Sequence, residues 1–160
     1  MATLILVRHG QSQWNLENRF TGWTDVPVTE QGRNDAQTCG DFLKEQGFSF
    51  DRAFTSRLMR ANQTMDEVLD TLGQSDIPKQ YDSALNERHY GDLQGLNKAE
   101  TVEKHGKEQV QLWRRSYSTR PPNGESMEDC AHRTTPYFVQ YVLPHVAEQN
   151  ENVIIFAYGN

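Results

Sequence analysis

The sequence predicts an α/β fold in which buried parallel strands alternate with helices. Three observations carry this. Leu4-Ile5-Leu6-Val7 and Val153-Ile154-Ile155-Phe156 are short, unbroken apolar runs, the pattern of strands buried on both faces of a parallel sheet. Between them, Leu58, Ala61, Met65, Val68, Leu69 and Leu72 recur at spacings of three and four, which marks one buried face of an amphipathic helix. Both apolar runs end in polar turns, Arg8-His9-Gly10 and Tyr158-Gly159-Asn160. Ligand sites of open α/β sheets lie beyond the carboxyl ends of the strands, so these turns mark the functional edge.

In chain order, the first strand is followed by residues 9–28, rich in Gly, Asn, Gln and Thr and carrying Trp14, Phe20 and Trp23. They read as one long ordered loop, a feature more often functional than spacing. Thr29 can cap a helix running to about Gln46, with Gly47 as its stop. Phe48 to Thr55 reads as a second strand, and Ser56 as the cap of the amphipathic helix that ends at Gly73. A weaker third strand lies within Ile77–Leu85, where Pro78 and polar residues dilute the pattern. Residues 86–125 form a polar, aromatic and locally basic excursion with two short helices, closed by Pro121-Pro122-Asn123-Gly124. Ser126 starts a long helix to about Glu148, bent at Pro136, and the final strand follows.

The totals bound the function. A chain of 160 residues is enough for a single domain, 1–160, with its own core. No apolar run approaches the roughly 20 residues of a membrane span. The N-terminus lacks a basic-then-apolar leader pattern, so a cytoplasmic protein is expected. A net charge of −6 argues against nucleic-acid binding while leaving room for a local cationic pocket. Cys39 and Cys130 match no metal spacing and read as free, packed thiols of a reducing compartment.

Several residues could carry chemistry at the strand edge. Arg8 and His9 leave the first strand, Arg60 lies in the first turn of the amphipathic helix, and Glu87 follows the third strand beside Arg88 and His89. Lys98, Arg114 and Arg115 lie on the excursion. A parallel sheet would bring Arg8, His9, Glu87 and Tyr158 to one edge. Taken singly, such a histidine is more often structural, and Arg114-Arg115 more often a solvated face. Together they make a cationic pocket with one imidazole and one carboxylate, a set suited to phosphoryl transfer. His105, His132 and His145 show no ligand spacing, and no metal site is expected.

The motif Arg8-His9-Gly10-Gln11-Ser12 with Trp14-Asn15 resembles the signature of the histidine phosphatase superfamily. Phe20-Thr21-Gly22-Trp23, Leu85-Asn86-Glu87-Arg88-His89-Tyr90-Gly91, Leu93-Gln94-Gly95-Leu96-Asn97-Lys98 and Trp113-Arg114-Arg115-Ser116-Tyr117 narrow the resemblance to the cofactor-dependent phosphoglycerate mutases. It covers nearly the whole chain. It implies a three-layer sandwich around a mostly parallel sheet, and a glycolytic and gluconeogenic isomerase that interconverts 2- and 3-phosphoglycerate. 2,3-Bisphosphoglycerate would prime His9 as phosphohistidine, without metal. Glu87 would be the general acid and base. Arg8, Asn15 and Arg60 would hold the transferring phosphoryl group. Thr21, Gly22, Arg88, His89, Tyr90, Lys98, Arg114, Arg115, Gly159 and Asn160 would complete the substrate cradle.

Two departures temper that expectation. Ala157-Tyr158-Gly159-Asn160 stands where the family has Ala-His-Gly-Asn, so Tyr158 occupies the position of a second catalytic histidine. A phenol carries no positive charge near neutral pH, and impaired mutase turnover is expected. The family pattern also continues past this motif, so the fold is expected to be cut short at its C-terminus, leaving homo-oligomerisation open. A phosphatase of the same superfamily and a non-catalytic binder of small phosphorylated metabolites are the competing readings. Neither nucleic acid nor membrane is an expected partner.

Overall fold

A computed structural model describes residues 1–159. Four strands, β1 (Leu4–Arg8), β2 (Arg52–Thr55), β3 (Lys79–Tyr81) and β4 (Val153–Ala157), form one parallel sheet in the order β1-β4-β2-β3. β4 is central, with Ile155 opposite both Leu6 and Phe54. That position explains its uninterrupted apolar run: Val153, Ile154 and Phe156 are fully buried, each contributing about 1.5–3 kcal/mol of transfer free energy.

Among the described residues, seven α-helices accompany the sheet: α1 (Gln13–Leu16), α2 (Glu30–Glu45), α3 (Met59–Leu72), α4 (Lys98–His105), α5 (Lys107–Arg115), α6 (Met127–Tyr137) and α7 (Leu143–Ala147). Strand alternation sorts the core into two faces. Ile5, Val7, Ala53, Ile154 and Phe156 meet α2 and α3 through Ala36, Leu43, Met65, Val68 and Leu69. Leu4, Phe54, Val153 and Ile155 meet Val142, Phe138, Val146 and Leu85 on the other face. The three-layer arrangement is therefore present. A satellite cluster of Phe20, Tyr90, Leu93 and Val110 fastens the excursion to the loop after β1.

Several local expectations are corrected. β1 is not buried on both faces. Among the described residues it has a strand neighbour only on its β4 side, and Leu6 is 70% exposed. The loop 9–28 contains a helical turn, α1, closed by a capping box between Ser12 and Asn15. β2 begins at Arg52, four residues later than expected. The first residue flanking α3 is Leu58 rather than Ser56, and Asp25, remote in sequence, accepts from Met59 N at 2.7 Å. The third strand is confined to three residues because a tight 3-10 turn, Ser83–Leu85, follows it. The expected single helix 126–148 is α6, a wider π turn over Phe138–Val142, and α7. That turn lies between Pro136 and Pro144, each of which removes a helical N–H donor.

The edge built by this topology is the one expected. Arg8-His9, Tyr158-Gly159, Ser56 and the segment leading to Glu87 all leave carboxyl ends of parallel strands. Among the described residues, no helix is long and apolar enough to cross a membrane.

Candidate active site

His9 leaves β1 with its backbone N–H bonded to Ala157 O at 3.1 Å, so strand pairing continues into the site. Its side chain is 7% exposed. Nδ1 lies 2.6 Å from Gly10 O. A carbonyl can only accept, so Nδ1 carries the proton and Nε2 keeps its lone pair. Burial, reinforced by the Arg60 and Arg8 charges and opposed by the Gly10 carbonyl, lowers the imidazole pKa to about 4. At neutral pH His9 is thus a neutral, oriented nucleophile.

Gly10 is required by close packing. A Cβ there would stand 2.2 Å from Gly32 O, at the start of α2. Gly10 N also donates to Thr64 Oγ1 at 3.0 Å, and Thr64 donates to Arg60 O at 2.8 Å. The turn carrying His9 is therefore clamped to both α2 and α3.

Arg60, in the first turn of α3, is completely buried. Nη2 donates to Gly22 O at 2.7 Å and to Glu87 Oε2 at 2.8 Å, and Nη1 donates to Thr24 O at 3.2 Å. Its Nε has no hydrogen-bond partner among the described residues. The Gly22 carbonyl is presented by a left-handed turn, φ +55°, beside Gln94 Oε1.

A polar cavity of about 170 Å³ opens in front of His9, and the buried Arg60 and Gly22, both expected at the site, are not among its walls. Its walls include Arg8, His9, Asn15, Thr21, Glu87, Tyr90, Lys98, Arg114, Arg115 and Gly159. All ten belong to the sequence-expected set. Arg19 and Phe20 also line it, and neither was expected. Arg19 could have been suspected as the cation preceding Phe20-Thr21-Gly22-Trp23. Five cationic side chains thus face one carboxylate, Glu87. Burial lowers the Lys98 pKa, aided by the Arg114, Arg8 and Arg115 charges and resisted by Glu87. An anion would relieve this repulsion, so the residues fit a multiply charged phosphate ester. Asn15 Oδ1 accepts from Ser12 N and Oγ, which leaves the amide's donor end for such an anion.

Other expected residues sit behind the wall. Arg88 is buried and donates to Trp113 O at 2.9 Å and Arg114 O at 3.1 Å, so it fixes the end of α5. His89 Nδ1 accepts from Gly91 N at 2.9 Å, and its ring meets Trp23. Tyr158 lies beside His9, ring centroids 5.3 Å apart, and covers Arg60. Its hydroxyl bonds to Ser56 Oγ, and burial pushes its pKa up to about 12. The phenol is neutral and its oxygen is held at Ser56. Asn160 lies outside the described residues. Among those residues, no cluster of ligating side chains could hold a metal.

A larger hollow of about 670 Å³ runs along β1 and α2 and shares Arg8, His9, Asn15 and Lys98 with the polar cavity. Ile5, Val7, Ala36, Phe42 and Leu43 line much of it, which does not suit an anion. The chemistry is assigned to the smaller, cationic cavity.

Comparison with known proteins agrees with this geometry. A family model described as "Histidine phosphatase superfamily (branch 1)" matches residues 4–160. A 2,3-bisphosphoglycerate-dependent phosphoglycerate mutase of Nitrobacter hamburgensis is 58% identical over 157 residues, covering 98% of this chain and 75% of the relative. Its counterpart in Gloeobacter violaceus is 54% identical over 160 residues, 100% of this chain and 72% of the relative. Among solved structures, a mycobacterial glucosyl-3-phosphoglycerate phosphatase in complex with VO3 superposes with TM-score 0.84 at 27% identity, covering 99% of this chain and 76% of that one. A Bacillus anthracis phosphoglycerate mutase superposes with TM-score 0.85 at 24% identity, covering 99% and 75%, and so shares the fold.

Proposed function

The chain belongs to the histidine phosphatase superfamily and, within it, to the 2,3-bisphosphoglycerate-dependent phosphoglycerate mutases; from that membership we propose that it interconverts 2- and 3-phosphoglycerate through phosphohistidine at His9. The observation that carries the proposal is the neutral His9, locked through Nδ1 on Gly10 O, facing a cationic cavity beside the Arg60–Glu87 pair.

His9 Nε2 attacks the phosphorus at one position of the bisphosphate, so an N–P bond forms as the P–O bond at that position breaks and a monophosphoglycerate is left. The departing alkoxide takes a proton from the Glu87 carboxyl. In the opposite step the Glu87 carboxylate takes the proton of the free hydroxyl of a monophosphoglycerate, which attacks the phosphohistidine phosphorus as the N–P bond breaks and His9 is released; taking the phosphoryl group from one position and giving it to the other interconverts the isomers. Arg8 and the donor end of Asn15, which line the cavity, neutralise the phosphoryl oxygens, while the buried Arg60 holds the Glu87 carboxylate. Lys98, Arg114 and Arg115, with Thr21 and Tyr90, hold the carboxylate and second phosphate. Bound 2,3-bisphosphoglycerate supplies the phosphoryl group that primes His9.

Tyr158 limits this chemistry. A histidine there would offer a positive donor toward the transferring group. The phenol, kept neutral by burial and bonded at its oxygen to Ser56 Oγ, carries no positive charge to offer. Loss of one such donor costs about 10²–10³ in rate. We therefore assign the chain impaired mutase turnover.

A phosphatase reading is favoured by the structural likeness to the mycobacterial phosphatase. Against it stand the excursion cations, since a water acceptor needs no cradle for a second charged group. Product analysis separates the two readings. Incubation with 3-phosphoglycerate and catalytic 2,3-bisphosphoglycerate yields 2-phosphoglycerate for a mutase, and only glycerate and free phosphate for a phosphatase. We place the protein in the cytoplasm as one domain, consistent with its free thiols Cys39 and Cys130.

A further inference from the structure

We propose that Arg133, acting with Trp23, is the positioning residue that holds the Glu87 carboxylate over the cavity; the inference rests on the acid–base role assigned to Glu87 above. Glu87 does not stand on a strand. It follows β3 after a 3-10 turn, Ser83–Leu85, on backbone that belongs to no sheet. Something other than the ladder must set its place.

Arg133, half-buried on α6, supplies that restraint. Its Nη1 lies 3.1 Å from Ser83 O, 2.9 Å from Ala84 O and 3.1 Å from Asn86 O. Nη2 donates to Glu87 O at 3.3 Å. Nε and Nη2 also form a fork on Glu125, at 3.1 and 2.9 Å, and Glu125 Oε2 accepts from His89 N at 2.9 Å. The backbone on both sides of Glu87 is thereby tied to one guanidinium. Trp23 completes the clamp. Its Nε1 donates to the same Glu87 O at 2.6 Å, and its ring faces Arg133 Cζ at 5.4 Å. The Glu87 carbonyl thus receives one donor from the loop after β1 and one from α6, while its carboxylate is held by Arg60. Only a planar fork with five donors can serve all these acceptors; a lysine ammonium cannot.

The test compares two phosphoryl donors to His9 in single-turnover labelling followed by intact mass. 2,3-Bisphosphoglycerate has an alkoxide leaving group that needs a proton. p-Nitrophenyl phosphate has a leaving group that departs as a stable anion. Arg133→Lys is expected to slow labelling by 2,3-bisphosphoglycerate by about 10²-fold and to leave labelling by p-nitrophenyl phosphate nearly unchanged. Trp23→Phe removes one donor without altering α6 and shifts the ratio the same way, by less. Amide hydrogen exchange is read in parallel. Both variants should lose protection at residues 83–89 while α3 and β4 keep theirs. Equal slowing with both donors, or unchanged exchange at 83–89, overturns the inference. Wild-type protein that accepts from neither donor overturns the proposed function instead, and the exchange data still decide the positioning claim.

Discussion

The Tyr158 hydroxyl is bonded to Ser56 Oγ while its ring covers the Arg60 guanidinium, 4.8 Å from Cζ to the ring centre. A neutral aromatic therefore caps the buried cation of the site, and its one polar atom faces a serine. Tyr158→His is expected to raise mutase turnover by about 10²–10³-fold, measured in a coupled assay. Tyr158→Phe should leave turnover near wild type and cost about 1 kcal/mol of stability for the lost hydrogen bond. Equal rates for Tyr158 and Tyr158→His would show that the position carries no catalytic charge.

His9 offers a pH signature. Its folded pKa is about 4 against an ordinary 6.5. Between these values the unfolded chain binds the proton and the folded one does not. His9 therefore makes stability fall as pH drops through this window, with about 3 kcal/mol lost once pH is below the folded value. An NMR titration of the imidazole should show a midpoint near 4. A midpoint near 6.5, as in an exposed histidine, would refute the buried, neutral nucleophile.

Gly10→Ala tests the clamp behind His9. The added methyl would meet Gly32 O at 2.2 Å, and backbone cannot step aside as a flexible side chain can. Overpacking of this kind costs about 1–3 kcal/mol. Urea denaturation should show that loss, together with reduced phosphoryl acceptance by His9. An unchanged midpoint would mean that the β1–α2 contact is loose.

The cationic cavity predicts ligand-linked stability. 2,3-Bisphosphoglycerate should raise the melting temperature, equivalent to about 2.7 kcal/mol at a hundredfold excess over Kd. Lys98→Met and Arg114→Met should each weaken that response. Melting that ignores the ligand would contradict the substrate cradle.

The sequence made the sheet core and most of the site legible because their signals are local. β4 and α3 carry unbroken or periodic apolar patterns that tertiary contacts only confirm. Arg8-His9 and Glu87 are each adjacent in sequence to a strand or its turn, so a parallel sheet brings them together. What remained hidden depends on partners far along the chain. Leu6 reads as buried until the strand order leaves β1 without a described neighbour on one side. Ser56 looks like a helix cap, yet its Oγ meets Tyr158 and Leu58 N, while Asp25 satisfies the next amide. Arg88 sits next to Glu87 in sequence but points to the last carbonyls of α5. Arg133 is one arginine in a polar helix, and no spacing rule distinguishes it from a solvated cation.

The phosphohistidine itself is the most direct test. The protein is incubated with 2,3-bisphosphoglycerate, and intact mass is read before and after acid treatment. A gain of one phosphoryl group, removed by acid and absent from His9→Asn, is the expected result. No mass gain, or a gain that survives acid or persists in His9→Asn, would contradict His9 as the phosphoryl carrier.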